Sequence, residues 1–118
     1  MSNLIQLESD KETSKFEVTV RTPQLVDEFL RIQEARKLFC SRAMIVGLVC
    51  PNEKPDLDEA YLVRESFYQA LRSDPGLSTT AAGASFLEAA ADYISALMAL
   101  QAVGFVDLFY QMDEDTQA

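Results

Sequence analysis

The side chains of this sequence that could do chemistry are two cysteines, several carboxylates and four tyrosines. Cys40 and Cys50 lie ten residues apart in an apolar stretch, and neither has a lysine or a histidine beside it. Free cysteine is among the residue types most often buried. The sequence therefore predicts two reduced thiols in the core of a cytosolic protein, with a disulfide or a reactive thiol as the alternative.

The carboxylates form two groups that resemble metal ligands. Asp56, Asp58 and Glu59 cluster at the predicted start of a helix, where the helix dipole already explains their negative charge. Glu88 and Asp92 are one helical turn apart, a spacing that holds metal ions in helical bundles. Such bundles also use histidine ligands, and the chain has no histidine. We therefore expect no metal site.

The absence of certain residue types excludes most common catalytic machinery. Without histidine, the Ser-His-Asp triad and the Cys-His pair cannot form, and two cysteines are too few for the common zinc sites. None of the four glycines begins a phosphate-binding fingerprint. Each tyrosine has apolar neighbours at helical spacing, which is more typical of a core or interface aromatic than of a catalytic acid: Tyr61, Tyr68, Tyr93 and Tyr110. The sequence predicts a protein that is not an enzyme and has no cofactor.

Charge is distributed unevenly along the chain. Nineteen acidic and ten basic residues give a net charge of −9, and residues 73–118 contain no lysine or arginine. That acidic third is also the most apolar part of the chain. We expect a hydrophobic surface kept soluble by negative charge. We expect no nucleic-acid partner, because the chain as a whole lacks a basic footprint.

The elements that must position these residues begin with a predicted strand pair in residues 1–21. Phe16–Val20 alternates apolar and polar residues, as a half-buried strand does, and Leu4, Ile5 and Leu7 could form its partner. Thr22 and Pro23 then predict a helix start, with threonine as N-cap and proline in the first turn.

The remaining elements are predicted helices. The apolar run from Leu38 to Cys50 is interpreted as a buried helix, with a short buried strand over 43–50 as the alternative. A clear helix spans residues 56–73. Ser85 to Glu88 fits a capping box, which predicts a last helix over 85–112, followed by a frayed tail over 113–118. The predicted fold is mainly α: one domain of three to four helices over 22–112 with a short N-terminal strand pair.

The last predicted helix is also the candidate partner surface. Its polar face shifts from Glu88 and Asp92 at one end to Asp107 on roughly the opposite side. Either part of the helix packs on another molecule, or it bends near Gly104 and packs within the chain. The apolar residues predicted to bind a partner or another copy are Leu97, Leu100, Val103, Phe105, Leu108 and Phe109. The alternative is that they pack on apolar side chains of the same subunit.

Two observations bear on localisation. The uncharged window from Tyr93 to Val106 has fourteen residues, short of the roughly 20 that span a membrane. The N-terminal residues MSNLIQLESDKE show no basic region followed by a long apolar run, so we expect no signal peptide. The sequence predicts a cytoplasmic protein without a membrane partner.

Three segments resemble the tail assembly chaperones of long-tailed, lambda-like bacteriophages. They are KFEVTVRTP at 15–23, PDLDEAYLVRESFYQALRSDPG at 55–76, and the long apolar helix predicted over 85–112. The resemblance implies a chaperone that self-associates and keeps the apolar, helical tape-measure protein soluble until the tail tube forms. Its expected partners are the tape-measure protein, further copies of the chain and, as an additional candidate, the tail tube protein. It also implies a protein of the infected host cytoplasm that is absent from the mature virion.

Two other functions fit a small acidic protein that is not an enzyme. A head–tail connector or another structural phage protein would form a ring of fixed subunit number. A small inhibitor that imitates nucleic acid would need dense rows of acids at phosphate-like spacing, whereas the acidic third of this chain is mostly apolar.

Overall fold

The computed structural model describes residues 23–117, with the side chains of residues 24–113, and this part of the chain is helical and contains no strand. Four α-helices follow one another, and a 3-10 helix over Pro75–Thr79 precedes the third. The α-helices are α1 Pro23–Ile45, α2 Leu57–Ser73, α3 Ala81–Ala102 and α4 Val106–Gln117. The predicted mainly α class is confirmed. The strand pair predicted in residues 1–21, and Thr22 as N-cap, lie outside the described residues.

The described residues divide into two compact units. The first holds those up to Arg31 and those from Asp107 on, and the second holds Ile32–Val106. In the first unit, Phe29 of α1 and Phe109 of α4 are both buried and meet edge to face, with ring centroids 5.5 Å apart. This geometry places the positive edge of one ring against the negative face of the other.

The start of α2 agrees with the helix predicted over 56–73. Asp56 is its N-cap, and the Asp56 carboxylate accepts a hydrogen bond from the backbone N–H of Glu59 at 2.9 Å. The Glu59 carboxylate in turn accepts from the backbone N–H of Asp56, also at 2.9 Å. This capping box satisfies two of the backbone donors that a helix start leaves without partners. The acidic cluster therefore has a structural role here.

The end of α1 differs from the prediction. The helix ends at Ile45, and Gly47 then adopts a positive φ of 84°. The N–H of Gly47 donates to the carbonyl oxygen of Met44 at 3.0 Å, and the N–H of Leu48 donates to that of Ala43 at 2.9 Å. These two bonds and the left-handed glycine form a Schellman motif, which terminates a helix. The helix predicted through Cys50 and the alternative strand over 43–50 are therefore both wrong.

The start of α3 lies upstream of the predicted capping box. Thr80 is the N-cap, and its hydroxyl oxygen accepts from the backbone N–H of Gly83 at 3.0 Å. Ser85 lies inside the helix, so the predicted cap at that residue is wrong.

The single helix predicted over 85–112 is two helices. α3 ends at Ala102, and Gly104 has a φ of 80°. The N–H of Phe105 donates to the carbonyl oxygen of Leu100 at 2.8 Å, and the N–H of Gly104 donates to that of Gln101 at 3.1 Å. This second Schellman motif has the same pattern as the one after α1. α4 then continues to Gln117, beyond the predicted end at residue 112.

The core of the second unit is a cluster of four buried aromatic rings from three helices. Phe39 of α1 lies 5.7 Å from Phe86 and 5.5 Å from Tyr93, both of α3, between ring centroids. Phe67 of α2 lies 5.0 Å from Phe86. The Tyr93 hydroxyl donates a hydrogen bond to the backbone carbonyl of Pro55, so the one polar tip in the cluster has a partner. The cluster joins α1, α2 and α3.

Candidate protein-binding surface

The six residues predicted as a partner surface have different environments. Leu97 and Leu100 are buried on α3, and Phe109 is buried against Phe29 in the first unit. Phe105 and Leu108 are half-buried. Val103, in the break after α3, is 61% exposed. Of the six, only Val103 presents a largely exposed apolar side chain.

The most exposed large apolar side chains of the described residues lie instead at the end of α1. Met44 is 70% exposed, Ile45 is 68% exposed, and Val49, just after the helix, is 85% exposed. These three residues define a surface that we call the apolar turn. Leu38 is also exposed, and it lies two helical turns before Ile45 on the same face of α1. The helical turn between them on this face is polar, so Leu38 is a second, separate exposed apolar position on the same line.

Backbone geometry explains why the apolar turn projects from the unit. Gly47 takes the left-handed conformation that an L side chain rarely adopts, and the chain reverses there. A Cβ atom on Gly47 would meet no other atom within 4 Å, which shows that the turn is open to its surroundings. Met44 and Ile45 on the last helical turn and Val49 beyond it thus lie on two sides of one tight reversal.

The apolar turn lies within an uncharged stretch. Residues 43–51 contain no charged side chain. Arg42, the charged residue before this stretch, donates from its Nη1 atom to the carbonyl oxygen of Ser85 on α3 at 3.4 Å. The guanidinium of Arg42 is therefore tied to α3, and the stretch can desolvate on contact without burying a charge of its own.

A polar network fixes the loop that follows the apolar turn. The Asn52 side-chain amide donates to the Glu59 carboxylate at 3.0 Å, and its carbonyl oxygen accepts from the backbone N–H of Lys54 at 2.7 Å. Glu59 also belongs to the capping box of α2. These hydrogen bonds connect the loop to the start of α2. The apolar turn therefore lies between the end of α1 and a loop that is anchored on α2.

Other exposed apolar residues of the second unit are distributed over different elements. Leu62 lies on α2, Met98 on α3 and Val103 after α3. Single exposed apolar residues are common on soluble proteins, whereas a group of them indicates a binding surface. The apolar turn is therefore the candidate site.

The chemistry that this surface offers is apolar contact. A comparison with protein-family models, curated proteins and solved structures found no match to the chain. The function must therefore be inferred from the residues themselves.

Within residues 23–117, no group of three or more acidic or cysteine side chains is placed to hold a metal ion.

Both cysteines flank the apolar turn, Cys40 on α1 and Cys50 after the reversal. Both are free and half-buried, so they lie at the edge of the core. Desolvation by burial, together with the neighbouring Cys50, raises the pKa of Cys40 to about 12. Burial also raises the pKa of Cys50. Neither thiol is therefore an activated nucleophile at neutral pH.

No single helix among the described residues is both long enough and apolar enough to cross a membrane. The helix α3 together with α4 as far as Asp113 reaches the required length and hydropathy only as a bent pair.

Proposed function

We propose that this protein is a chaperone without enzymatic activity, which binds apolar helical segments of a client, and further copies of itself, through the apolar turn. The observation that carries the proposal is the exposure of Met44, Ile45 and Val49 together in a stretch without charge. Exposed apolar groups of this kind mark protein-binding surfaces.

The side chains of the apolar turn suit a client that has an apolar stripe but no fixed sequence. Met44 is unbranched and flexible, so it can adapt to differently shaped partners. Ile45 and Leu38 follow one line along α1, and a client helix could pack along that line as in helix-in-groove recognition. A surface of so few side chains gives a small, reversible contact, which a holdase needs in order to release its client.

The charge of the chain supports the same function. The net charge of −9 keeps complexes apart from one another while the apolar turn is occupied. Glu88 and Asp92 are exposed on α3, one helical turn apart. Such exposed acids favour clients with basic residues and raise the rate of encounter more than the final affinity.

We further propose that the client is the tape-measure protein of a long-tailed bacteriophage, which the chain would keep soluble in the host cytoplasm without entering the mature virion. The resemblance to tail assembly chaperones supports this assignment. Of its three segments, residues 55–76 include α2, whereas the third comprises two helices instead of one. The tail tube protein remains a second proposed partner.

Self-association can be tested by light scattering behind size exclusion. We expect the mass of the wild-type chain to rise above 13.2 kDa when the concentration is increased about tenfold. The double variant Ile45→Glu, Val49→Glu should remain monomeric, with an unchanged far-UV circular dichroism spectrum. The control Leu62→Glu, at a residue of similar exposure (65%) on α2, should associate as the wild type does.

Client binding is measured separately with a tape-measure fragment and with a helical peptide that has an apolar stripe. Both should bind the wild type and the Leu62→Glu control, but not the double variant or, for the peptide, a scrambled sequence of equal composition. A wild-type monomer at both concentrations that binds neither ligand would disprove the proposal. A ring of fixed subunit number would instead support a connector.

A further inference from the structure

We propose that Cys40 and Cys50 form a redox pair, which closes to an intramolecular disulfide across the reversal at the end of α1. The pair is a modification site in its own right, and it does not depend on the identity of any client. Its position follows from backbone geometry.

The Schellman motif brings the two cysteines together. Cys40 precedes the end of α1 at Ile45 by about one and a half helical turns, and the chain then reverses at Gly47. The stretch from Leu48 to Cys50 consequently returns alongside the last turns of the helix. The two cysteines are close enough there for each to affect the pKa of the other, and the Cys40 sulfur lies 3.9 Å from the carbonyl oxygen of Glu53, three residues after Cys50. The Schellman reversal thus makes neighbours of two cysteines that are ten positions apart in the sequence.

The surroundings decide which thiol reacts first. The Cys40 thiol donates to the carbonyl oxygen of Glu53, which gives its proton an acceptor. Cys40 therefore holds its proton strongly, and the neighbouring Cys40 works against the rise that burial causes in the pKa of Cys50. Cys50 is the thiol that ionises and attacks first, because the thiolate is the reactive form.

The oxidant is a low-molecular-weight disulfide such as oxidised glutathione. The Cys50 thiolate attacks one sulfur of that disulfide and displaces the first small thiolate, which leaves a mixed disulfide on Cys50. Cys40 then loses its proton and attacks the Cys50 sulfur, and the second small thiolate leaves. Two protein thiols are oxidised to one disulfide, and one small disulfide is reduced to two thiols.

The raised pKa values set the rate of the reaction. At neutral pH only a small fraction of either thiol is ionised, so the pair reacts slowly in a reducing cytoplasm and remains in the dithiol form. The rate rises with pH because each step needs a thiolate. The half-buried position of both sulfurs leaves them accessible to a small disulfide.

The experiment equilibrates the full chain in mixtures of reduced and oxidised glutathione, folded and in urea. Alkylation of the remaining thiols and intact-mass spectrometry then measure the fraction of intramolecular disulfide. Because the fold holds the thiols together, we expect the effective concentration of the pair to be at least about tenfold higher in the folded chain than in urea. An equal or lower value in the folded chain, or disulfide-linked dimers as the main product, would overturn the proposal.

Two single variants test the order of attack. Cys40→Ser should accumulate the mixed glutathione disulfide on Cys50, and Cys50→Ser should form its mixed disulfide on Cys40 more slowly. For the wild type, the rate of thiol loss should rise about tenfold per pH unit between pH 7 and 9. A rate that is independent of pH, or faster capture at Cys40, would contradict the proposed mechanism.

Discussion

A Cβ atom on Gly83 would lie 1.9 Å from the carbonyl oxygen of Leu77. The same oxygen accepts a hydrogen bond from the Thr80 hydroxyl at 2.7 Å, and the Thr80 hydroxyl oxygen accepts one from the N–H of Gly83. The first turn of α3 and the 3-10 helix therefore meet backbone to backbone, with no space for a side chain between them.

Gly83→Ala should consequently lower the free energy of unfolding by about 2 kcal/mol, because the 3-10 helix must move away from α3 to admit the methyl group. Urea denaturation followed by circular dichroism measures the loss. Gly76→Ala is the matched control, since a Cβ atom there would meet its nearest neighbour, an Asp74 carboxylate oxygen, at 3.8 Å. Equal losses in the two variants would show that the close approach is not what constrains Gly83.

Gly47→Ala should cost about 1–2 kcal/mol of stability through backbone strain alone. The φ of 84° is unfavourable for alanine, and no atom lies within 4 Å of the added Cβ to contribute a clash. Gly47→Asn should lose less, because asparagine tolerates the left-handed conformation better. Thermal unfolding of the two variants side by side checks this order, and a larger loss for asparagine would contradict it.

Tyr93→Phe should destabilise the second unit by about 1–3 kcal/mol, because it removes the hydroxyl that donates to the buried carbonyl of Pro55. The ring itself would keep its place against Phe39. Tyr68→Phe, at an exposed residue, is the control and should change stability by less than about 0.5 kcal/mol. Chemical denaturation compares the two, and a neutral Tyr93→Phe would mean that the carbonyl finds another donor.

The ion pair between Glu28 and Arg31 predicts a small dependence of stability on pH. The Arg31 guanidinium donates to the Glu28 carboxylate at 2.9 Å and lowers the pKa of that carboxyl. A lowered pKa in the folded chain contributes stability above the ordinary pKa of 4.5, and this contribution is lost as the pH falls through the lowered value.

Glu28→Gln should therefore cost only about 0.2–0.5 kcal/mol at neutral pH, because both side chains are about half exposed to solvent. The loss should disappear in strong acid and shrink in concentrated salt. Denaturation curves at several pH values measure it. A loss that persists in strong acid would show that packing, not charge, accounts for it.

The sequence predicted helix interiors better than helix ends. The helix over 56–73 was predictable because acidic residues mark its start and the sequence Asp74-Pro75-Gly76, which favours a turn, marks its end. The end of α1 was missed, and that of α3 was predicted only as an alternative bend near Gly104, since each depends on a glycine with positive φ that forms a Schellman motif. The apolar pairs Ala43–Leu48 and Leu100–Phe105, spaced five residues apart around Gly47 and Gly104, are the local signal that could have revealed both.

The candidate site was harder to predict than the fold. An apolar run such as Leu38–Cys50 is equally typical of a buried helix and of an exposed binding surface, because composition does not record which side faces water. Likewise, the uncharged part of α3 predicted a partner surface, although Leu97 and Leu100 pack internally. The contact between Cys40 and Cys50 needs the reversal at Gly47, which the spacing of the two cysteines alone does not reveal.

The burial of Tyr93 has an optical consequence. The chain has no tryptophan, so its ultraviolet fluorescence comes from four tyrosines, and Tyr93 is the one whose side chain is fully buried. An aqueous quencher such as iodide can reach the other three in the folded protein. The emission that resists quenching therefore originates from a single ring, and its loss would report the opening of the second unit without any label.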